Sequence, residues 1–347
     1  MEWGMNMARN VYGLDLGSYE VKIYDKNQNV IRKEKDTIAV ENKKYIFAAG
    51  DEAYEMYEKA PENVQVIFPM KNGVISHFED MQYLLQSLLN PEQKLMRGAE
   101  YVIAVPTDVT EVEKKAFYDL VSYSSARAKE VRIVERGIAS AVGLGLNVME
   151  EKGIFIADFG GDTTELSVLS QGGIVLNRLV KIGGATLDTA VANLVRYHKD
   201  FLIGKLTSEA LRRRFGVFEE SGDASMTVAG RNLITGIPQQ VEVSVGLVRA
   251  AVKEPLKECV RSILSMLDRT PPDVRKAVEG KGLFLTGGLA KLRGIDTYLQ
   301  EMTGLKVISG ERPDTAAVEG IRKIIWNREL DRLAYSLLDE NYRWLKS

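Results

Sequence analysis

Two stretches of this chain share one outline, and that outline limits what the whole can fold into. "VYGLDLGSYEVKIY", from Val11, and "FIADFGGDTTELSVL", from Phe155, run alike: an apolar strand, an aspartate, an apolar residue, a glycine, a short polar turn and a second strand. Each reads as a β-hairpin whose turn presents backbone N–H groups. They stand nearly half a chain apart, so a duplicated fold follows more naturally than two unrelated domains. Two such hairpins from two similar halves would face each other across a cleft.

Elsewhere short β-branched runs alternate with longer helical patterns, as in "EYVIAVPT" followed by "EVEKKAFYDLVSYSSA", which indicates an α/β protein. "YVIAVP" and "GLFLTGG" are almost continuously apolar, as expected of strands in a sheet covered on both faces. The second of these opens a third glycine turn, "KGLFLTGGLAKLRGIDTYL", which reads as strand, Gly287-Gly288 turn and then a helix whose start offers unpaired N–H donors. Alone, that turn is also compatible with an ordinary strand-to-helix connection. Three glycine turns, each after a buried strand, point to one nucleotide cleft.

The residue types suit a triphosphate. Backbone donors approach phosphate closely only where no Cβ intervenes, which accounts for Gly17, Gly160 and Gly161. Ser18, Thr163 and Thr164 add hydroxyl donors. Asp15 and Asp158, at the ends of their strands, are candidates to hold Mg²⁺ through its waters.

At 347 residues the chain has room for two compact domains. Lys and Arg number 46 against 48 Asp and Glu, so no global field favours nucleic acid or an anionic membrane. A single cysteine excludes an intrachain disulfide framework, and Cys259, inside "LKECVRSIL", reads as buried filler. With only His77 and His198 beside it, a structural zinc set is not available. No run approaches the ~20 apolar residues that span a bilayer. "MEWGMNMARN" lacks the layout of a secretory signal, so a cytoplasmic location is expected.

With those residues in hand, the chain resembles the MreB family of bacterial actins, within the actin and sugar-kinase fold, over roughly residues 11 to 325. "DLGSYEVKIY" looks like the family's first phosphate loop, "DFGGDTTELSV" like its second and "LTGGLAKLRGIDTYL" like its adenosine loop. "FPMKNGVISHFED", "VERGIASAVGLGL", "KIGGATLDTAV", "LIGKLTSEALRRRFG" and "GRNLITGIPQQVEVS" narrow the resemblance to MreB-like proteins, away from chaperone ATPases and sugar kinases.

The resemblance implies a duplicated α/β fold, with two lobes around a cleft that holds ATP and Mg²⁺. One lobe would run over 1–145 with a small subdomain near 32–74, the other over 146–320 with a small subdomain near 184–244, and the final helices, about 321–347, would pack on the first. It further implies self-assembly into filaments at the inner face of the membrane, where they organise cell-wall synthesis and rod shape with membrane-bound partners. Matched by position, Gly17, Ser18 and Tyr19 would line the phosphates from one side, with Gly160, Gly161, Asp162 and Thr163 opposite. Ser208, Glu209, Ala210 and Leu211 would border the ribose and base. Gly287, Gly288, Leu289 and Ala290 would border the adenosine.

Several positions depart from the family pattern. Asp162 and Leu289 stand where glycines are usual, and Tyr19 and Glu20 replace small and amide residues. In "VERGIAS" the glutamate that orients the attacking water in the family matches Arg136, and the proline after it matches Gly137. Arginine cannot serve as a general base near neutral pH, though it can stabilise phosphate charge. Glu135 is adjacent, but neighbours on an extended segment point to opposite faces, so only a local bulge would let it substitute. Asp162 adds repulsion of ~4 kcal/mol against a charge 4 Å away at an effective dielectric near 20. Slow ATP hydrolysis is the expectation. A nucleotide-degenerate scaffold, or an actin-fold division or pilus adaptor, is the alternative.

For the membrane, Leu95 and Met96 form an apolar pair between Lys94 and Arg97, suited to weak interfacial anchoring that polymerisation multiplies. The stripe Leu330, Leu333, Ala334, Leu337 and Leu338 predicts a terminal amphipathic helix that docks on the body or a partner. "LRRRF", residues 211–215, reads as a solvated basic helix face, with no nucleic-acid binding inferred from it.

Overall fold

A computed structural model describes residues 10–89, 98–123, 128–219 and 224–338. Leu95 and Met96 therefore lie outside the described residues, as does the start of the chain. The polypeptide divides into two compact units, one formed by the residues up to Leu146 together with those from Thr315, the other by Asn147–Asp314.

The first unit opens with a meander: β1 (Val11–Leu16), β2 (Glu20–Asp25) and β3 (Val30–Lys35). Next come β4 (Ile38–Glu41), β5 (Tyr45–Ala49), the short helix α1 (Asp51–Glu55) and β6 (Val64–Ile67), with the three strands pairing in the order β5-β4-β6. A two-stranded ribbon, β7 (Met70–Lys71) and β8 (Val74–Ile75), leads to helix α2 (Phe78–Leu89). Strand β9 (Glu100–Val105), helix α3 (Glu111–Ser122), strand β10 (Glu130–Glu135) and helix α4 (Arg136–Gly143) complete this part. The main sheet runs β10-β9-β1-β2-β3, with β1, β9 and β10 parallel. Every residue of β1 is buried, as the unbroken apolar pattern requires. Helix α3 begins where Thr110 accepts from the Glu113 amide while the Glu113 carboxylate returns to the Thr110 N–H.

The second unit repeats that scheme. Strands β11 (Ile154–Phe159), β12 (Thr164–Ser170) and β13 (Gly173–Val180) form the meander. Helix α5 (Gly184–Lys199), β14 (Phe201–Leu202), α6 (Lys205–Arg214), β15 (Ser225–Asn232) and β16 (Pro238–Ser244) follow, the strands pairing as β14-β15-β16. After them come α7 (Val245–Arg269), α8 (Pro272–Lys281), β17 (Leu283–Thr286), a 3-10 turn over Gly288–Lys291, α9 (Ile295–Thr303) and β18 (Val307–Ser309). The sheet order, β13-β12-β11-β17-β18, matches the first unit strand for strand, with three antiparallel strands and then two parallel ones. The repeated hairpins of the sequence are β1–β2 and β11–β12, the centre and flank of each sheet.

Helix α7 closes one face of the second unit through Leu256, Cys259, Val260 and Ile263. Cys259 is fully buried, its Sγ donates to Thr164 Oγ1 at 3.7 Å, and burial pushes its thiol up to about 11. It is filler, as its place in an apolar period suggested.

The chain then returns to the first unit as α10 (Ala316–Trp326), which crosses α4 at a contact only glycine permits. A Cβ on Gly143 would lie 1.9 Å from the Ala316 carbonyl oxygen, and one on Gly320 would lie 1.8 Å from that of Ala139. The terminal stripe is not the amphipathic helix expected for it over its described part. Helix α10 stops at Trp326, a 3-10 turn covers Asp331–Leu333, and Tyr335 pairs with Ile133 of β10 through both backbone bonds, at 2.8 and 2.9 Å. The reason is the free edge of β10: an unpaired row of N–H and C=O groups captures extended chain in preference to a new helix. Leu333 and Ala334, just before the pairing, are buried, whereas Leu338 stays exposed.

Two outcomes follow. Gly143→Ala or Gly320→Ala should each cost about 2 kcal/mol or more by overpacking, read as a lowered urea midpoint; an unchanged midpoint would contradict this crossing. Cys259 in the native protein should resist a thiol reagent at pH 8 and react once urea unfolds the chain.

Candidate functional site

In the first unit the turn between β1 and β2 is closed by Gly17, whose N–H donates to the Glu20 carbonyl at 3.2 Å. A Cβ on Gly17 would sit 2.9 Å from that same oxygen, so the residue type is set by the tight turn itself. Tyr19 and Glu20 are turned towards β3: the Lys35 ammonium lies 4.4 Å from the Tyr19 ring centroid and 2.9 Å from Glu20 Oε1. Burial opposes the charge of Glu20, but the hydrogen bond from Lys35 and the charges of Lys22, Lys35 and Lys33 together outweigh it, holding the carboxyl below its ordinary value. Tyr19 thus offers the turn its backbone, while its ring belongs to a cluster with Tyr54.

Asp15, at the end of β1, is buried between two cations. Lys22 Nζ stands 3.5 Å from Oδ2 and Arg136 Nε stands 3.4 Å from Oδ1. Arg136, the first residue of α4, also donates from Nη2 to the Leu16 carbonyl at 3.0 Å, which fixes it against the turn. The sequence had not singled out Lys22. The signal was in the hairpin register, since Lys22 lies directly across from Asp15 on the same face of the sheet.

Glu135 does not take Arg136's place. The pairing of β10 with β9 runs without a bulge through Glu135 and Val105, and Glu135 Oε1 instead accepts from the Tyr335 hydroxyl at 2.6 Å, with Lys114 Nζ 4.0 Å away. The local bulge that would redirect it is absent because the β10 ladder is intact to its last residue.

In the second unit the turn after β11 is braced from behind by α5. Gly160 N–H donates to the Thr163 carbonyl at 2.8 Å, while the carbonyls of Gly160 and Gly161 accept from the amides of Gly184 and Ala185 at 3.1 and 2.8 Å. A Cβ on Gly183 would stand 2.5–2.6 Å from the backbone of Gly161, Asp162 and Thr163, so "IGGATL" is the seat of this turn. Asp158 Oδ2 accepts from Thr286 Oγ1 at 2.8 Å, and Glu165 faces it across the hairpin. Thr164, expected to offer its hydroxyl to phosphate, instead donates it to the Ile182 carbonyl at 2.8 Å.

On α6, Ser208 and Leu211 point into the core, and of the four residues placed near the ribose only Glu209 and Ala210 reach the surface. Glu209 Oε1 accepts from Arg213 one turn on, at 2.7 Å. The basic run is not wholly a solvated face. Arg213 and Arg214 are exposed, but Arg212 is buried and grips Asp188 through two bonds of 2.6 and 3.0 Å. Burial raises the Asp188 carboxyl above its ordinary value, although Arg212 pulls the other way.

The third turn keeps the expected order of strand, glycine turn and helix, with a 3-10 turn interposed before the helix. Gly287, with φ of 89°, packs so that a Cβ would lie 2.3 Å from the Phe159 carbonyl oxygen, and its N–H donates to Pro313. No α-helix starts at the glycine pair; Gly288–Lys291 is a 3-10 turn and α9 begins only at Ile295. Leu289 drops into the core and Ala290 lies at its margin. Gly288 alone is exposed, with no protein atom within 4 Å of where its Cβ would be. No packing contact in the fold requires a glycine there.

Whether these residues fit the metal differs between the two aspartates. A hydrated Mg²⁺ is usually held by one or two carboxylates together with substrate phosphates. At Asp15, Lys22 and Arg136 stand within ion-pair distance of the two oxygens, at 3.5 and 3.4 Å, and would compete with an ion there. Asp158 has a hydroxyl donor on one oxygen and a second carboxylate opposite. Among the described residues no group of three or more His, Cys, Asp or Glu could enclose an ion.

Comparison with known proteins places this geometry. A family model described as MreB/Mbl protein matches residues 9–332. The cell shape-determining protein MreB of Escherichia coli (strain K12) is 34% identical over 323 residues, covering 90% of this chain and 92% of its own. The crystal structure of MreB 5 of Spiroplasma citri bound to AMPPNP superposes with a TM-score of 0.88 at 27% identity, over 94% of this chain and 98% of that one. The MamK double helical filament, at 17% identity with a TM-score of 0.76 over 92% and 99% of the two chains, shares the fold. The chain belongs to the MreB/Mbl family of cell shape-determining, actin-like proteins.

Proposed function

We propose that this chain binds ATP at its glycine turns and polymerises in that state into filaments at the inner face of the membrane, where they organise wall synthesis. The second turn carries the reading: its peptide planes are locked by α5, with Gly160 and Gly161 carbonyls turned back into the helix start. Such a turn holds the amides that follow Gly160, whose own N–H goes to the Thr163 carbonyl, in fixed positions for phosphate. The exposed, uncrowded Gly288 suits an approaching adenosine. That a relative of known structure is bound to AMPPNP supports the assignment, and the filament of a protein with this fold supports self-assembly.

Within this reading the nucleotide is an assembly switch and hydrolysis is slow. Arg136 cannot accept a proton from water, and Glu135 is held by Tyr335. A scaffold that binds nucleotide without turning it over is the second reading, favoured by that same pair. Membrane attachment would be peripheral, since no helix among the described residues is long and apolar enough to cross a bilayer. Leu95 and Met96 remain the proposed contact, and membrane-bound wall-synthesis proteins the proposed partners.

Sedimentation of purified protein tests the core of this. AMPPNP should pellet the chain as fully as ATP, and Gly160→Val, which crowds the turn, should abolish both. Pelleting with ATP alone would show that turnover, not occupancy, drives assembly and would overturn the slow-hydrolysis reading.

A further inference from the structure

Tyr19 sits in the first glycine turn, yet its ring serves a different part of the unit. It is half-buried and meets Tyr54 of α1 edge-on, with centroids 6.0 Å apart and planes at 74°. Tyr54 stacks on Tyr57 at 5.9 Å, and both meet Phe68, the residue after β6, edge-on at 6.4 and 5.0 Å. Lys35 Nζ lies over two of these rings, 4.4 Å from Tyr19 and 5.6 Å from Tyr54, while paired with Glu20 at 2.9 Å. Edge-on and cation–ring contacts of this kind are directional, so they relate the orientation of one ring to that of the next. Of the four rings, only Tyr19 belongs to the turn.

The backbone beneath follows the same route. The Asp36 N–H donates to the Tyr19 carbonyl at 3.2 Å. One residue earlier, the Lys35 N–H donates to Asp51 Oδ1 at 3.1 Å, and the Asp51 N–H donates to Glu34 Oε2 at 3.0 Å. The Gly50 N–H donates to the Thr37 carbonyl at 2.8 Å, and Thr37 Oγ1 donates to the Gly50 carbonyl at 2.7 Å. The turn, the end of β3 and the start of α1 are thus tied through side chains and backbone together. Helix α1 has five residues and no side-chain cap at its start, too short to hold by itself, so these contacts set its order.

We infer that Tyr19 is a positioning residue that couples the first turn to α1: phosphate held at the turn restrains the Tyr19 ring, the ring restrains Tyr54, and α1 becomes ordered. The inference rests on the nucleotide-binding reading above and adds how occupancy of the turn reaches the β5-β4-β6 part of the unit. By linkage the dependence is mutual, so loosening α1 weakens nucleotide binding by the same factor.

Hydrogen–deuterium exchange of the full chain, with and without saturating AMPPNP, tests this beside calorimetric titration of the same samples. In the wild type, bound AMPPNP should slow exchange over α1 at least about fivefold. Tyr19→Phe, which keeps the ring, should preserve that protection. Tyr19→Ser should still bind AMPPNP but leave α1 exchanging within about twofold of its nucleotide-free rate. Tyr54→Leu, outside the turn, should weaken AMPPNP about fivefold or more in the wild type and less than about twofold in Tyr19→Ser. Thermal melts establish folding; where Tyr19→Ser is unfolded or cannot be saturated, the wild-type exchange and the Tyr54→Leu titration decide. A wild type that binds AMPPNP with unchanged exchange over α1 overturns this proposal and leaves the nucleotide reading standing. So does full protection in Tyr19→Ser, or an equal loss from Tyr54→Leu in both backgrounds, which a merely structural ring would give. A folded wild type that binds no AMPPNP overturns both.

Discussion

A carboxylate at the end of a buried central strand has to be neutralised or hydrogen-bonded where it stands, because water is not there to do it. The two halves of this chain meet that demand differently. In the first, Asp15 is closed by Lys22 from the neighbouring strand and Arg136 from the start of α4. In the second, Asp158 is met by the Thr286 hydroxyl from the parallel neighbour, with a carboxylate opposite instead of an ammonium. The side chains that meet the aspartate beside each glycine turn therefore differ between the two halves.

The duplication itself was legible. Hairpins repeated at half-chain distance, with matching Asp and Gly, are difficult to explain except as equivalent strands of two equivalent sheets, and β1–β2 and β11–β12 are those strands. Cys259 followed from its apolar period. Its neighbourhood in the fold, against the Thr164 hydroxyl, did not, because that contact joins residues of different elements.

What the sequence concealed is of one kind: partners fixed by register and by packing across elements. Lys22 lay in view inside "SYEVKIY", yet its role depends on hairpin register, which a one-residue slip would reverse. Arg212 lay in a run of three arginines that composition reads as solvated, and only the approach of α5 turns it to Asp188. The terminal leucine stripe carried a true helical period, overridden by an open strand edge far away in sequence. Thr164 looked like a phosphate donor until the Ile182 carbonyl claimed it. Glycines divide similarly: Gly143, Gly183, Gly287 and Gly320 are fixed by intramolecular crowding, whereas Gly288 is bare without a structural cause. Sequence alone does not separate the two kinds, because the crowding comes from residues distant in the chain.

The central proposal is that the glycine turns hold a nucleotide. A high-resolution crystal structure grown with saturating AMPPNP would examine it directly. The account predicts phosphate oxygens within hydrogen-bonding distance of backbone amides of the turn after β11, and the adenosine beside Gly288. A folded chain crystallised under that condition with no nucleotide at these turns would contradict the account.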